Sequence, residues 1–165
     1  MARLLVVQNS PSRSLQRLTQ AVLAGAHDPE ITGVEVVERN PLDATADDVL
    51  AADGYLLGTA AHFGYMSGAL KHFFDTTFLQ VGGTLDDSGG GPAGGSESPT
   101  ARRPFGLWVH GRYDTTGAVR SVLSIVGALG WTQSAPVLEV LGDVGERHDE
   151  AAYDLGATLA ALLGS

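Results

Sequence analysis

The chain contains no cysteine, which excludes disulfide bonds, thiolate metal sites, iron–sulfur clusters and thiol nucleophiles. Basic residues are scarce too: 10 Lys and Arg stand against 19 Asp and Glu, and the formal charge is −9. A nucleic-acid partner is therefore not expected, because phosphate contacts depend on Lys and Arg. The five histidines show no metal-site spacing, and no metal is expected. The apolar run after Arg3 is too short for a signal peptide or a membrane span, so the sequence predicts a cytoplasmic protein without a membrane partner.

The 165 residues are 44% hydrophobic, which suits one globular domain over 1–165. Short apolar runs, typical of strands covered on both faces, alternate with helical stripes of apolar residues. The predicted strands are residues 4–7, 34–37, 54–58, 105–109 and 137–141. Thr45 and Asp48 have the spacing of a capped short helix. The helical stripes comprise Leu15, Leu18, Val22 and Ala26; Met66, Leu70, Phe73, Phe74 and Phe78; Val119, Val122, Ile125, Val126 and Leu129, ended by Gly130; and Ala152, Leu155, Leu159, Leu162 and Leu163.

This alternation predicts an α/β fold, a five-stranded parallel sheet with helices on both faces, in the strand order 2-1-3-4-5. Ligands of such sheets bind outside the carboxyl ends of the strands, at the switch point. The loops after the first, third and fourth strands are therefore the candidate site. Residues 82–100 interrupt the rhythm with a glycine-rich run, and we expect a flexible insert there; the alternative is an ordered lid or a subunit-contact arm.

The first loop joins strand one to the first helix and carries three serines. Ser10, Ser12 and Ser14 add hydroxyl donors to the free N–H groups of a helix N-terminus, and Arg13 adds positive charge, so the loop through Leu15 is a candidate phosphate site. A plain serine N-cap is the alternative. The loop has neither the Walker A nor the dinucleotide-binding glycine pattern.

The second loop carries the most specific pattern in the chain. Between Gly58 and Asp75 it has the residues Gly58, Thr59, Gly64, Met66, Ser67, Gly68, Lys71, Phe73, Phe74 and Asp75. This stretch resembles the second flavin loop of the flavodoxin-like NAD(P)H-dependent FMN reductases and NAD(P)H:quinone oxidoreductases, although Ala60 stands where that family usually has proline. From the residues alone, Phe63 and Tyr65 offer aromatic surface, while Phe73, Phe74 and Phe78 are expected in the core, and Lys71 and Asp75 form an i,i+4 pair.

The resemblance covers nearly the whole chain outside the 82–100 insert. It implies a flavodoxin-like fold, bound FMN, NAD(P)H as electron donor and a quinone, flavin or similar small acceptor. It also implies a homo-oligomer, for which we expect a dimer with Phe78, Leu79 and Val81 near the contact. The alternative is a monomer in which these three residues pack under their own loop. The second-loop residues expected to line the flavin are Thr59, Ala60, Ala61, His62, Phe63, Gly64, Tyr65 and Met66.

The third loop follows strand four, and in the resembled family its counterpart wraps the flavin ring. Its candidate residues are His110, Gly111, Arg112, Tyr113, Asp114 and Gly117. Thr115 or Thr116 is expected to cap the next helix, and Trp108 to lie in the core. His110 and His62 both follow strands at the same edge, so we expect them to meet above the crevice as catalytic residues, with His110 favoured.

Three functions fit these observations. The chain is a reductase that passes electrons from NAD(P)H to a small acceptor, a flavodoxin-type carrier that docks redox proteins, or a related domain that no longer binds flavin. The serines of the first loop and the second-loop pattern argue against the last. The acidic residues are spread along the chain, whereas His62, His110 and Arg112 suit a small acceptor or a pyridine nucleotide, so the reductase is favoured.

Overall fold

A computed structural model describes residues 1–90 and 98–164. The strands are β1 (Ala2–Gln8), β2 (Val34–Arg39), β3 (Gly54–His62), β4 (Tyr65–Met66), β5 (Pro104–Gly111), β6 (Thr132–Gln133) and β7 (Leu138–Leu141). The helices are α1 (Arg13–Ala26), α2 (Ala46–Ala51), α3 (Gly68–Thr77), α4 (Thr116–Ala128) and α5 (Glu146–Leu163). The part of the predicted insert at 91–97 lies outside the described residues.

The main sheet is parallel and runs β2-β1-β3-β5, with β6 and β7 both paired to β5 at the edge. This confirms the predicted fold class and strand order. Helices cover both faces because successive strand residues point to opposite sides. Thus Leu4 and Val6 pack with α1 and α5, whereas Leu5 and Val7 pack with α3 and α4.

The number of strands differs from the prediction. The expected fifth strand corresponds to β7, and β6 is an additional short strand that the sequence pattern does not predict. Residues 134–137 separate β6 from β7, and Pro136 among them lacks the N–H that a sheet ladder requires. β3 also continues to His62 and turns back as β4, although Thr59 to His62 were expected in a loop. β5 likewise includes His110 and Gly111, because these residues pair with Val140 and Leu141 of β7.

Several local predictions are confirmed. Thr45 and Asp48 form a capping box at α2, and α4 ends just before Gly130, which has φ +73°. Phe73, Phe74 and Trp108 are buried. The amine of Lys71 lies 2.7 Å from the Asp75 carboxylate. In α5, however, Leu162 is 56% exposed, and the buried position near that end is Ala160.

The start of the insert corrects the expected dimer contact. Phe78 and Val81 are buried in their own chain, where Phe78 packs against Gly83 and the Val81 carbonyl accepts a hydrogen bond from the Ser98 hydroxyl at 2.9 Å. Only Leu79 of the three expected contact residues is exposed. Phe78 and Val81 therefore cannot be contact residues without opening the core.

Candidate functional site

The carboxyl ends of β1, β3 and β5 lie side by side and place three segments together: the first loop, the β3–β4 hairpin and the third loop. Two strand spacings separate β1 from β5, or about 10 Å. A ligand that extends across this edge can therefore touch all three segments. This is the edge at which the sequence predicts the ligand site.

The first loop ends at the N-terminus of α1. Ser12 is the N-cap, and its hydroxyl oxygen accepts a hydrogen bond from the Leu15 N–H at 3.2 Å. Gln16 N–H is bonded to the Ser12 carbonyl, so the N–H groups of Arg13 and Ser14 are those that the helix leaves free. The first turn contains no acidic residue. Free N–H groups and the partial positive charge of the helix make this end suitable for an anion.

The side chains of the first loop are placed differently from one another. Arg13 is exposed and Ser14 is half-buried, whereas Leu15 is fully buried, so Leu15 can offer a ligand only its backbone. The Ser10 hydroxyl lies 2.6 Å from Gln8 Oε1 and 2.8 Å from Thr19 Oγ1. Ser12 is exposed as well, so Ser12, Arg13 and Ser14 are the side chains that remain accessible beside the free N–H groups.

The second loop is a tight hairpin rather than an open loop. His62 pairs with Tyr65, and the two residues between them have positive φ, 51° at Phe63 and 79° at Gly64. Positive φ at both central positions defines a type I′ turn, which favours Asn and Gly. A phenylalanine at the first position is strained, and its side chain is fully exposed. The turn thus holds an aromatic ring outward at a conformational and a solvation cost.

The remaining second-loop residues support this hairpin from within. Thr59 is fully buried, and its hydroxyl accepts a hydrogen bond from Ser67 N–H at 3.0 Å while donating to the Ala60 carbonyl at 2.8 Å. Met66 packs in the core beneath the hairpin, and Ala60 is also buried. The side chains of these residues face the interior. Ala61, His62, Phe63, Gly64 and Tyr65 are the members that reach the surface.

The third loop presents a second exposed ring. Tyr113 is 86% exposed, and the Arg112 guanidinium carbon lies 5.9 Å from the centre of its ring. Asp114 Oδ1 accepts a hydrogen bond from Thr116 N–H at 2.9 Å, and this backbone bond holds the pKa of Asp114 below its usual value. Thr115 is the residue before α4, as expected, but its hydroxyl donates to Glu139 at 2.7 Å and does not cap the helix.

The hairpin and the third loop are in backbone contact. A Cβ atom on Gly117 would overlap the carbonyl oxygen of Gly64, and a Cβ on Gly111 would lie 3.1 Å from the Ala61 Cβ. Glycine at 117 thus lets the N-terminus of α4 approach the hairpin tip. The two segments enclose a cleft of about 350 Å³ lined by Ala61, Phe63, Gly64, Arg112, Tyr113 and Asp114.

The two candidate histidines do not meet in this cleft. His110 follows Trp108 and so faces the α1–α5 side of the sheet, where its Nε2–H donates to the Gly142 carbonyl at 2.7 Å. His62 is exposed on the hairpin. Ala61 lines the cleft, and neither His110 nor His62 does. The expectation that His110 reaches into the crevice is therefore corrected by the direction in which its side chain leaves β5.

A fourth segment at this edge was missed in the sequence. The loop after β7 is bound to β5 through the Gly142 N–H, which donates to the Gly111 carbonyl at 2.8 Å. Arg17 of α1 donates to the Val144 carbonyl at 2.9 Å and to the carboxylate of Asp149 in α5. Parallel strands all end at this edge, so the loop after the last strand could have been included from topology alone. Within the described ranges no helix is both long enough and apolar enough to span a bilayer.

Comparison with known proteins agrees with this geometry. The family model for NADPH-dependent FMN reductase matches residues 9–138. A flavodoxin of Aquifex aeolicus (strain VF5) is 31% identical over 129 residues, which cover 71% of this chain and 69% of that protein. An archaeal flavodoxin structure has a TM-score of 0.74 at 15% identity, with 99% of both chains covered.

A WrbA-like flavodoxin from Agrobacterium tumefaciens has a TM-score of 0.69 at 17% identity and covers 99% of this chain and 98% of its own. At these identities the two solved structures establish the fold alone. The family match spans most of the chain and includes all three loops described above. The chain belongs to the NADPH-dependent FMN reductase family, a family of FMN-binding, flavodoxin-like oxidoreductases.

Proposed function

We propose that this protein binds FMN across the carboxyl edge of its sheet and reduces a small acceptor, such as a quinone or free flavin, with electrons from NAD(P)H. The observation that carries the proposal is the cleft between the hairpin and the third loop, where the Phe63 and Tyr113 rings are held in solvent. Exposed aromatic rings at both walls suit a planar aromatic ligand.

The donors at the two ends of the edge match the two ends of FMN. The free N–H groups of Arg13 and Ser14, with the Ser12 and Ser14 hydroxyls and the Arg13 guanidinium, would hold the phosphate. The cleft residues Ala61, Phe63, Gly64, Tyr113 and Asp114 would hold the ring, with Thr59, Ala60 and Met66 supporting the hairpin from below and Gly111 and Gly117 admitting close backbone approach. The chemistry that bound FMN would supply is acceptance of a hydride followed by release of its electrons.

This chain's own residues would place the second substrate. Arg112 at the cleft mouth, in a chain of charge −9, offers a cation to the phosphates of a pyridine nucleotide. His62 is exposed on the hairpin between the cleft residues Ala61 and Phe63 but does not itself line the cleft, and it is the group that we assign to hold a proton near an acceptor at the cleft mouth. His110 is assigned to fixing the third loop, because its Nε2–H is bonded to Gly142.

A flavodoxin-type carrier is the second candidate, and the Aquifex relative's name favours it. We also propose that the protein associates as a dimer. Of the three residues expected at the contact, Leu79 is exposed. Light scattering distinguishes a dimer from the 17.1 kDa monomer.

Two titrations on purified apoprotein test the function. FMN is expected to bind about a hundred-fold more tightly than riboflavin, because riboflavin lacks the charge-assisted bonds to the phosphate. Anaerobic NADPH or NADH is then expected to bleach the visible absorption of the bound flavin. Equal affinity for the two flavins would contradict the phosphate site. If dithionite bleaches the bound flavin but neither NADPH nor NADH does, the flavodoxin-type carrier would be favoured.

A further inference from the structure

A continuous chain of hydrogen bonds runs from the buried core to the first loop and on to the surface. Trp108 Nε1 lies 3.1 Å from Thr19 Oγ1, which lies 2.8 Å from Ser10 Oγ. Ser10 Oγ is 2.6 Å from Gln8 Oε1, and Gln8 Nε2 is 3.1 Å from Glu38 Oε2. Five side chains from β1, the first loop, α1, β5 and β2 are thereby linked in one unbranched hydrogen-bond network.

The chemical groups at the two ends of this hydrogen-bond network determine which atom donates in every bond of it. An indole N–H can only donate, so Thr19 accepts from Trp108. A carboxylate can only accept, so Gln8 turns its amide nitrogen to Glu38 and its carbonyl oxygen to Ser10. The hydroxyl of Ser10 has one hydrogen, and that hydrogen must go to Gln8. Thr19 then donates to Ser10, and every side chain in the network has a hydrogen-bond partner.

Breaking the hydrogen bond at the buried end of this network would reduce the stability of the protein. Trp108 is completely buried and Thr19 is 4% exposed, so an unpaired polar atom there would lack water. Gly58 contributes to this arrangement, because a Cβ at that position would overlap the Trp108 ring. The outer residues Ser10 and Gln8 are only half-buried, but they are held by the buried pair behind them.

We propose that Ser10 is a positioning residue for the phosphate loop and not a phosphate donor. Its hydroxyl hydrogen is directed to Gln8, so Ser10 joins the loop to Trp108 and to the end of β1. The hydroxyl donors to the phosphate are then Ser14 and Ser12, whose oxygen accepts from Leu15 N–H but whose hydrogen is free to donate. This inference rests on the proposed binding of FMN and divides among three similar serines a role that the sequence assigns to all of them.

Gln8→Met distinguishes positioning from direct donation because the two roles predict opposite results. If Ser10 acts through Gln8, Gln8→Met and Ser10→Ala each weaken FMN binding by about three- to ten-fold, and the double variant is no weaker than either single one. If Ser10 donates to the phosphate, Gln8→Met frees its hydrogen, and FMN binds equally well or more tightly. Gln8→Ala replaces Gln8→Met if the latter does not fold.

Ser14→Ala and Ser121→Ala complete the series. Ser14→Ala is expected to weaken FMN about ten-fold while riboflavin binding is unchanged, because only FMN carries the phosphate. Ser121 in α4 donates to the Ala118 carbonyl, and its alanine variant is the matched control with unchanged affinity for both flavins. Melting temperatures confirm that each variant is folded.

The two tryptophans supply a spectroscopic reading that does not depend on activity. Trp131 donates to Thr100 at 2.8 Å, so both indole N–H groups are bonded to threonine hydroxyls but only Trp108 is linked to the first loop. In ¹H–¹⁵N spectra of the apoprotein, Ser10→Ala and Gln8→Met are expected to move the Trp108 indole resonance and to leave that of Trp131 in place.

The outcomes separate this inference from the function on which it rests. Equal affinity of the wild-type protein for FMN and riboflavin would refute the phosphate site itself. A wild-type preference for FMN that survives Gln8→Met in full but falls with Ser10→Ala would refute positioning and make Ser10 a donor. Additive losses in the double variant, no loss with Ser14→Ala, or an unmoved Trp108 resonance in Gln8→Met would also overturn the assignment.

Discussion

Among the helices that begin at the ligand edge of this sheet, α1 and α4 have N-termini that are built differently. At α1, Ser12 caps the helix with a neutral hydroxyl, the first turn has no acidic residue, and Arg13 is exposed beside it. At α4, the Asp114 carboxylate accepts from the Thr116 N–H, and Glu139 accepts from the Thr115 hydroxyl. One N-terminus is open to an anion, and the other is already occupied by the protein's own carboxylates.

This difference gives the edge a polarity. A partial positive charge at a helix N-terminus attracts an anion only where no side-chain carboxylate has neutralised it. The phosphate of a ligand would therefore go to α1, while an uncharged ring would go to the cleft beside α4. The same comparison explains why Gly117 can lie against the Gly64 carbonyl: α4 begins with close packing where α1 begins with an accessible loop.

The largest effect is expected from Gly117→Ala, which attacks the packed N-terminus. The new Cβ would overlap the Gly64 carbonyl and push the hairpin tip outward, at a cost of about 1–3 kcal/mol in unfolding free energy. Because the ring site moves and the α1 end does not, FMN and riboflavin should both bind about ten-fold or more weakly, with their affinity ratio preserved.

Gly127→Ala in the same helix is the matched control for this change. A Cβ on Gly127 meets nothing within 4 Å, and alanine in a helix should stabilise the protein by up to about 1 kcal/mol. A loss restricted to FMN in Gly117→Ala, or equal behaviour of the two alanine variants, would show that the hairpin contact does not shape the ring site.

Arg13→Gln tests the open N-terminus with a smaller effect. A cation at the start of a helix opposes the helix dipole, so its removal should leave the apoprotein equally or slightly more stable. The same change should weaken FMN by about three- to ten-fold at low salt, less at high salt, and leave riboflavin unaffected. Arg120→Gln, at an exposed position of α4, is the control. Unchanged FMN affinity at low salt would mean that Arg13 does not reach the phosphate.

The sequence predicts the framework of this edge well because the framework depends on periodicity. Alternating apolar runs and helical stripes locate the strands, and the pairing of Thr45 with Asp48 locates α2 through a local capping box. The serine cluster marks the N-terminus of α1 for the same reason: caps and helix ends are set by neighbours in the chain. The pattern from Gly58 to Asp75 then points to the family.

The cleft itself depends on long-range contacts that periodicity does not contain. Small residues such as Ala60 and Ala61 do not show where β3 ends, so the sequence pattern predicts a loop where the structure has the hairpin. The side of the sheet to which His110 points depends on the register of β5, and a shift of one residue reverses it. Likewise, the directions of the bonds at Ser10 require the distant partners Trp108 and Glu38.

The smallest effect concerns the charge that closes the α4 N-terminus. The Thr116 N–H bond lowers the pKa of Asp114 in the folded protein, so the unfolded chain binds a proton more readily as the pH falls. The stability from this bond is therefore fully present above the usual Asp pKa of about 4 and is lost as the pH drops through the lower folded value.

Asp114→Asn keeps the acceptor oxygen but cannot titrate. Its melting temperature should fall less than that of the wild type between pH 6 and the acid pH at which the wild-type carboxyl becomes protonated. Asp149→Asn, which removes the negative charge paired with Arg17, provides the comparison, since the pKa of Asp149 is lowered chiefly by its hydrogen bond from Arg17. Identical acid profiles for Asp114→Asn and the wild type would show that Asp114 does not hold this helix end through its charge.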